Sequence, residues 1–335
     1  MLVKRRCSYL IVSRIWPAHV VMLLATVFIL KIPITMAFLP NLFLVQGWVP
    51  SENYFFSYNG VSWSISTELA FYLSFPFFIR RWGQTFWWKI PLAAAIVYCT
   101  LKACDIFGVD YKPGVGGIST VGLIYVSPLG RILEFVTDIA CCSIFRWLWR
   151  YAPRNFSLFT VFEILSIFGF YFTMTGGIST YFDANVGNGA REWLAHSSSL
   201  PTCAIAVVVF AFGCGALSAP LSSRPMLLLG EVSFSLYLTH QVVNNWYVFR
   251  LQQKGGLIGA VICASLALAL SYLLWKFIEI PARKILRKVA PVILVHLSTI
   301  RLRTNIQLGP VAANEASLPE KQKSSLSSAN PTMAS

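Results

Sequence analysis

Apolar residues fall into long runs along this chain, and short polar segments separate them. Eight runs approach about 20 residues, the length at which an α-helix crosses a bilayer. Because a bilayer tolerates only structures that satisfy their own backbone, the pattern predicts an all-α, polytopic membrane helix bundle with about eight transmembrane helices. The predicted spans are residues 9–30, 61–80, 86–103, 128–149, 157–175, 200–217, 226–249 and 257–279.

The segments between the runs divide the chain further. Residues 41–48 are apolar but too short to span, which predicts a re-entrant or interfacial piece. The glycine-rich segments 104–127 and 176–199 are expected to be irregular loops. We therefore expect a membrane domain over residues 1–285. We expect a cytoplasmic amphipathic segment and a disordered tail to follow over residues 286–335. The end of this range is rich in Ser, Ala, Lys, Glu and Pro, a composition typical of disorder.

Charge follows the same pattern. The chain is 56% hydrophobic and only 12% charged, which excludes an ordinary soluble domain. Its net charge of +14 does not indicate nucleic-acid binding, because Lys and Arg cluster at the ends of apolar runs. Their bias predicts that both termini are cytoplasmic and that loops 31–60, 104–127, 176–199 and 250–256 face outward. The chain is thus expected to be a multi-pass integral membrane protein, in the cytoplasmic (inner) membrane if it is bacterial.

A carboxylate lies near the middle of the second run. Glu68 shares one helical face with Ser64 and Tyr72, at spacings of four residues. An unpaired charge inside a bilayer is costly, so this stripe must face protein or a water-filled cavity. Two interpretations remain open at this point: Glu68 belongs to a functional site, or it pairs with an Arg of a neighbouring helix and fixes packing.

Two further runs carry polar stripes. Arg131, Glu134 and Asp138 lie on one face of the 128–149 run, where an intrahelical ion pair is the simpler interpretation. The guanidinium of Arg131 also suits carboxylate, phosphate or oxyanion contacts. In the 226–249 run the stripe consists of Ser233, Tyr237, His240 and Asn244, and hydrogen bonds between helices would account for it equally well.

Four stretches together resemble a known family. Residues 63–76 read WSISTELAFYLSFP and are similar to the W-S-[LI]-S-x-E-x-x-F-Y-x-x-F-P motif of the acyltransferase type 3 family. Arg14-Ile-Trp-Pro17, Arg131-x-x-Glu134-Phe135 and the stretch from Leu229 to His240 with Glu279-x-Pro281-x-Arg283 resemble its other motifs, in the same order. Members of this family are multi-pass membrane proteins that O-acylate sugars, lipopolysaccharide and other extracytoplasmic acceptors.

The resemblance implies a function. The chain would transfer an acyl group, acetyl in the first instance, from acyl-CoA to a hydroxyl of a cell-surface carbohydrate or lipid-linked sugar. It would be an acyltransferase for groups other than amino-acyl groups, without a metal. Its partners would be a glycan or glycolipid acceptor and the lipid bilayer, not nucleic acid. The resemblance assigns catalytic roles to Glu68, Arg14 and Arg131 and substrate-binding roles to Trp63, Ser64, Tyr72, Glu134, Ser233, Tyr237 and His240.

The chain also departs from the family pattern. Family members typically have ten spans, and the pair expected at the front has no counterpart among the eight predicted here. The family's proposed catalytic His lies on the first helix, so the resemblance predicts weak or no activity for these 335 residues alone. The rival from another class is a transporter or flippase for a glycolipid or organic anion, since intramembrane Glu and Arg serve such proteins equally well. The sequence has no internal repeat, which favours the enzyme.

Overall fold

The structure, a computed structural model, describes residues 2–111, 116–152, 155–175, 187–250 and 256–285, and for residues 2–14 it describes the backbone alone. Regular structure in these ranges is helical, as the apolar runs predict. The helices are α1 (Leu2–Leu30), α2 (Phe38–Leu42), α3 (Glu52–Phe55), α4 (Trp63–Ile79), α5 (Trp82–Ile106), α6 (Ile132–Leu148), α7 (Phe156–Met174), α8 (Asn188–Ser197), α9 (Leu200–Ala211), α10 (Ser218–Leu221), α11 (Arg224–Asn245) and α12 (Leu257–Leu274). Short π-helical segments occupy Val121–Val126, Trp246–Arg250 and Trp275–Glu279.

In the described part of the chain, four helical stretches are long and apolar enough to cross a membrane. These are Phe156–Met174, Gly189–Ala211, Arg224–Phe249 and Leu257–Ile285. Large apolar side chains on them point outward; Leu257, for example, is 84% exposed, as expected for a surface that lipid covers. Helices also occupy the other four predicted positions, but α4 and α6 have only 17 residues each, about 25 Å. Eight spans and cytoplasmic termini therefore stay predictions.

Reporter fusions test this topology. We expect fusions at Asn53, Val115, Asn188 and Gly255 to report the outer side of the membrane, because the loops that contain them carry few Lys and Arg residues. Paired fusions at Gly83 should report the cytoplasm and serve as the control. A cytoplasmic signal at two or more of the four outer positions would contradict the arrangement.

Helix α4 lies between two hydrophobic cores. On one side, Ile65 packs with buried residues of α1, α11 and α12. On the other side, Phe78 packs with residues of α5 and α6. The rings of Phe71 and Phe135 stack face to face there, with centroids 4.7 Å apart. Because close packing is what associates helices in lipid, contacts on both flanks hold the motif residues of α4 in a fixed position.

A lysine closes the carboxyl-terminal end of α4. Lys89 is buried, and its Nζ donates to the carbonyls of Phe77, Phe78 and Arg80 at 3.2, 2.8 and 2.7 Å. The last carbonyls of a helix have no partner inside it, and a cation is favourable at that end. Lys89 therefore acts as a helix cap, which the sequence pattern alone treats only as one more basic residue near the end of an apolar run.

The re-entrant segment packs back against the start of α4. It forms α2 and a 3₁₀ turn at Gln46–Trp48 rather than a span. The amide of buried Gln46 donates to Ser62 O at 3.1 Å, and Ser66 Oγ accepts from the backbone of Gly47 at 3.1 Å. Trp48 Nε1 donates to Ser66 O at 3.0 Å. The second serine of the WSIS motif is thus structural, since it anchors this segment.

Several boundaries differ from those expected. Residues 188–197, predicted as loop, form α8, and residues 121–126 form a π-helical segment. The span predicted to begin at residue 128 begins as a helix at Ile132, so that Arg131 is its N-cap residue. For α8 the cause is tertiary: the Asp105 carboxylate of α5 accepts from the backbone of Gly189 and so satisfies the start of the helix.

The span predicted over 200–217 ends as a helix at Ala211, and a buried carboxylate explains why. Glu163 of α7 is fully buried and accepts from the backbone of Gly215 at 3.2 Å and of Leu217 at 2.9 Å. It also accepts from Ser218 Oγ. These donors satisfy the buried carboxylate inside the bundle.

Residues 286–335, for which an amphipathic segment and a disordered tail were predicted, lie outside the described residues.

Candidate active site

Three aromatic rings are in contact at the amino-terminal end of α4. The centroid of Tyr125 lies 4.6 Å from that of Trp63 and 4.0 Å from that of His196. The guanidinium carbon of Arg131 lies 5.4 Å from the centroid of the same tyrosine ring, a cation–π distance. Tyr125 is therefore the centre of a cluster that joins the first residue of the WSIS motif to Arg131.

Arg131 also belongs to a charged network. Its Nη1 donates to Glu134 Oε1 at 2.8 Å and to Ser197 Oγ at 3.3 Å. Ser197 in turn donates to the same Glu134 oxygen at 2.6 Å. The ion pair that the spacing predicts is therefore present, and a serine from α8 completes it. Both charged side chains are about one fifth exposed, at 21% and 23%, which leaves the guanidinium within reach of a ligand.

Helix α8 is held in place by a carboxylate of α5. Asp105 Oδ1 accepts from the backbone of Gly189 at 3.0 Å, at the start of α8, where backbone N–H groups lack partners inside the helix. The approach is close: a Cβ added to Gly187 would lie 2.4 Å from the Asp105 carboxyl group. This anchor brings His196 and Ser197 to the cluster.

A second close approach positions Tyr125. A Cβ on Gly130 would lie 2.1 Å from the carbonyl oxygen of Ile124, so only glycine lets the π-helical segment fold back against the start of α6. Burial raises the pKa of the Tyr125 phenol above its usual range; Arg131 acts in the opposite direction, and Glu192 and Glu134 add to the rise. The phenol is therefore a neutral hydrogen-bond donor at neutral pH.

The predicted polar stripes of α4 and α11 meet at one hydrogen bond. Ser64 Oγ and Tyr237 Oη are 2.8 Å apart, and Tyr237 also donates to Val61 O at 2.9 Å. One turn further along α4, Tyr72 Oη donates to Glu68 Oε2 at 3.2 Å. Glu68 is exposed on the surface of the bundle, but it has this polar partner and lines a groove. A carboxylate inside a bilayer is costly unless it has polar surroundings of this kind.

That groove runs between α4 and α6. Its volume is about 470 Å³, and apolar side chains such as Phe71, Phe75 and Ile139 form most of its wall. Polar groups lie along it: Glu68 and Asp138, and Arg146 in the last turn of α6. The volume is within the range of small-molecule sites.

The remaining predicted residues are less tightly joined to the cluster. His240 and Ser233 line a separate open groove of about 640 Å³ between α11 and α12. The centroid of the His240 ring is 5.7 Å from that of Tyr237, and its Nδ1 is 3.3 Å from Leu236 O of its own helix. Ser233 is exposed and donates to Gly230 O of its own helix at 2.8 Å. Arg14 lies in α1, and its side chain is outside the described part.

Sequence reasoning missed four members of the cluster: Tyr125, Glu192, His196 and Ser197. It assigned their segments to irregular loops and gave the residues no role. The one local signal was a Glu and a His four residues apart, at 192 and 196, in a segment with helical spacing.

Sequence reasoning also missed His19 of α1. This residue is fully buried, and its Nε2 lies 2.8 Å from Asn41 O, so that it joins α1 to α2. Among the described residues, no group of three or more potential ligands is arranged to hold a metal ion.

These helices and the charged cluster between them define an integral membrane protein with a polar site. Residues 2–276 match the family model described as an acyltransferase domain, and the chain therefore belongs to the acyltransferase type 3 family that its motifs resemble. It is also similar to the acyltransferase MdmB of Streptomyces mycarofaciens, at 28% identity over 307 residues that cover 84% of this chain and 74% of the relative. No solved structure matches it significantly. The chain is a transferase of acyl groups other than amino-acyl groups.

Proposed function

We propose that this protein transfers an acyl group, acetyl in the first instance, from acyl-CoA to a hydroxyl of a cell-surface carbohydrate or lipid-linked sugar. The observation that carries the proposal is the Arg131 guanidinium, which lies over Tyr125 and bonds to Glu134 at the predicted outer end of the bundle. A partly exposed cation beside a neutral phenol provides two donors for the oxyanion that forms when an acyl carbonyl is attacked.

The cluster suits a sugar acceptor. The exposed imidazole of His196 and the partly exposed ring of Tyr125 offer apolar surface, and the adjacent Glu134, which is 23% exposed, offers a hydrogen-bonding oxygen. A sugar ring has an apolar face and a rim of hydroxyl groups, so both kinds of contact are needed to orient one. Ser64 and Tyr237 extend the polar surface, and Glu68 with Tyr72 continues it into the α4–α6 groove.

The groove between α4 and α6 suits the donor. Arg146 lies at the end that the charge pattern predicts to be cytoplasmic, and a guanidinium binds phosphate groups well. From Glu68 to Ile79 the groove follows eleven residues of helix, about 16 Å. Its mostly apolar wall would accept the acyl chain and pantetheine arm, and the resemblance also gives Arg14 a catalytic role. A base must still remove the acceptor's hydroxyl proton.

Mass spectrometry of surface polysaccharides and glycolipids tests the proposal. Cells that express the protein should gain ester-linked acyl groups on sugars, and mild alkali should remove them. The Arg131→Ala variant should lose these esters, whereas Arg150→Ala, a control at an exposed position outside the cluster, should keep them. Absence of any new ester from wild-type cells would refute the proposal for these 335 residues, and it is the result that follows from the weak or absent activity that the resemblance predicts for them. A change in glycolipid export without acylation would favour a transporter.

A further inference from the structure

We propose that a pocket beside α3 binds the lipid-proximal sugar of a lipid-linked acceptor and that it prefers a neutral sugar. The inference rests on the proposed function and deepens it, because it selects lipid-linked sugars among the acceptors considered. It also adds residues to the site, since none of the positions to which the resemblance assigns a role lines this pocket.

The pocket lies between two parts of the segment that joins α1 to α4. Residues 32–37 form one wall, and residues 52–58, which include α3, form the other. Its volume is about 610 Å³, which is within the range of small-molecule sites. The charge pattern predicts that this segment faces outward, the side on which a cell-surface acceptor is met.

The lining combines aromatic rings with free polar groups. Phe56 is 37% exposed, and the partly buried ring of Tyr54 lies in the same wall. The Glu52 carboxylate and the Asn53 amide are exposed, and neither side chain makes a hydrogen bond within the described part of the protein. An aromatic ring can stack against the apolar face of a sugar, while a carboxylate and an amide can bond its hydroxyl groups.

Tyr58 holds the two walls together before any ligand arrives. Its Oη accepts from the backbone N–H of Thr35 at 2.8 Å and donates to Pro33 O at 3.3 Å. Its buried ring packs edge to face with Phe38, with centroids 5.8 Å apart. Because a preformed site loses less conformational freedom on binding, these contacts favour affinity for a small ligand.

The charge of the lining distinguishes between headgroups. Glu52 contributes a carboxylate, and no Lys or Arg of the described ranges lines the pocket. A phosphate or uronic acid would therefore lie beside a like charge with no cation to offset the repulsion. A neutral sugar brings only hydroxyl groups, which a carboxylate can accept from.

Exposed apolar side chains beside the pocket favour a sugar that is attached to a lipid. Ile34, Met36 and Leu39 are 67%, 87% and 61% exposed, and they lie in or next to the first wall. Such side chains are more stable in lipid than in water, so they place the pocket at the level of the lipid headgroups. A lipid tail can then stay in the bilayer while its sugar enters the pocket.

Aromatic contacts join the pocket to the cluster around Tyr125. The rings of Phe56 and Phe55 meet edge to face, with centroids 4.6 Å apart. Phe55 is buried and packs in one core with Trp63, whose ring centroid lies 4.6 Å from that of Tyr125. The pocket therefore lies on the approach to the proposed site of transfer, and a second sugar of the headgroup is the one that reaches the cluster.

Native mass spectrometry of the full chain in detergent tests the pocket with three probes that share the same tails: glucosyl-diacylglycerol, glucuronosyl-diacylglycerol and diacylglycerol. We expect the glucosyl lipid to bind about tenfold more tightly than diacylglycerol, because its sugar adds a ring contact and hydrogen bonds. The glucuronosyl lipid should bind about fivefold more weakly than the glucosyl lipid, and Glu52→Gln should remove that difference.

Substitutions in the second wall test the same contacts. We expect Asn53→Ala and Phe56→Ala each to weaken binding of the glucosyl lipid by about threefold to tenfold and to leave diacylglycerol binding unchanged. Phe107→Ala, which truncates an exposed phenylalanine outside the pocket, is the matched control and should keep wild-type affinity. Unfolding temperatures identify any variant that fails to fold.

Several results would overturn the pocket. They are equal binding of the glucosyl lipid and diacylglycerol, wild-type affinity in the folded Asn53→Ala and Phe56→Ala variants, and tighter binding of the glucuronosyl lipid. Equal affinity for methyl β-glucoside and the glucosyl lipid would overturn the choice of a lipid-linked acceptor, because the tail would then contribute nothing.

Acyl transfer is measured separately, with ¹⁴C-labelled acetyl-CoA and diglucosyl-diacylglycerol. Where the wild-type protein is active, Asn53→Ala and Phe56→Ala should raise the KM for the glycolipid and leave kcat unchanged, since the pocket only holds the acceptor. Ester formation with wild-type KM in both variants would overturn the pocket while acyl transfer stands. Glycolipid binding that depends on Asn53 and Phe56 without any ester would sustain the pocket and count against the proposed function.

Discussion

Arg131→Ala is expected to lower kcat for acyl transfer by about 10²–10³-fold, the usual effect of removing one donor to a developing oxyanion. The reason is its position: the guanidinium lies over the Tyr125 ring and is held by Glu134 and Ser197. No other described cation contacts that ring. Initial rates at saturating acetyl-CoA and n-octyl β-glucoside measure the effect.

Two further variants separate the catalytic from the structural contribution. Arg131→Lys keeps the charge but loses the planar fork, so we expect an intermediate rate. Arg131→Met combined with Glu134→Gln removes both charges and avoids an unpaired carboxylate, so it should fold with near wild-type stability and remain as slow as Arg131→Ala. A rate within about threefold of wild type for Arg131→Ala would show that the guanidinium does not hold the transition state.

Glu163→Ala is expected to reduce the free energy of unfolding by about 3 kcal/mol or more. The carboxylate accepts from Gly215, Leu217 and Ser218, and its removal leaves these donors without partners inside the bundle. Each unsatisfied buried donor costs about 1–3 kcal/mol. Thermal or denaturant unfolding of the detergent-solubilised protein measures the loss.

Two control variants show whether the loss of stability in Glu163→Ala comes from the buried hydrogen bonds. Ser218→Ala removes one of the three donors and should cost about 1 kcal/mol. Glu52→Ala replaces an exposed carboxylate and should change stability by no more than about 0.5 kcal/mol. Equal stability of Glu163→Ala and Glu52→Ala would mean that the segment after α9 does not depend on the buried carboxylate.

Local spacing made part of the site predictable. Residues three or four positions apart on a helix are neighbours whatever the rest of the chain does. The Arg131–Glu134 pair and the Glu68–Tyr72 hydrogen bond follow from that rule, and both are present. The roles that the resemblance assigns to these residues stay predictions until the kinetic experiments are done.

Contacts between distant segments were not predictable in this way. Ser197 meets Glu134 across 63 positions of the chain, and Ser64 meets Tyr237 across 173. The first contact depends on Asp105, whose carboxyl group receives the backbone N–H at the start of α8. A sequence pattern gives no register between helices, so it could not bring His196 to Tyr125.

The sequence by itself determined the class of protein, the positions of the main helices and the family, because apolar runs of bilayer length and four ordered motifs are local properties. Only the tertiary structure decided that α8 is a helix, that Lys89 and Glu163 satisfy backbone groups, and that Tyr125 lies between Trp63 and His196. The physical reason is that burial and close approach are set by which helices pack together. Gly130 shows this most clearly: its missing side chain matters only because Ile124 O occupies the place where a Cβ would lie.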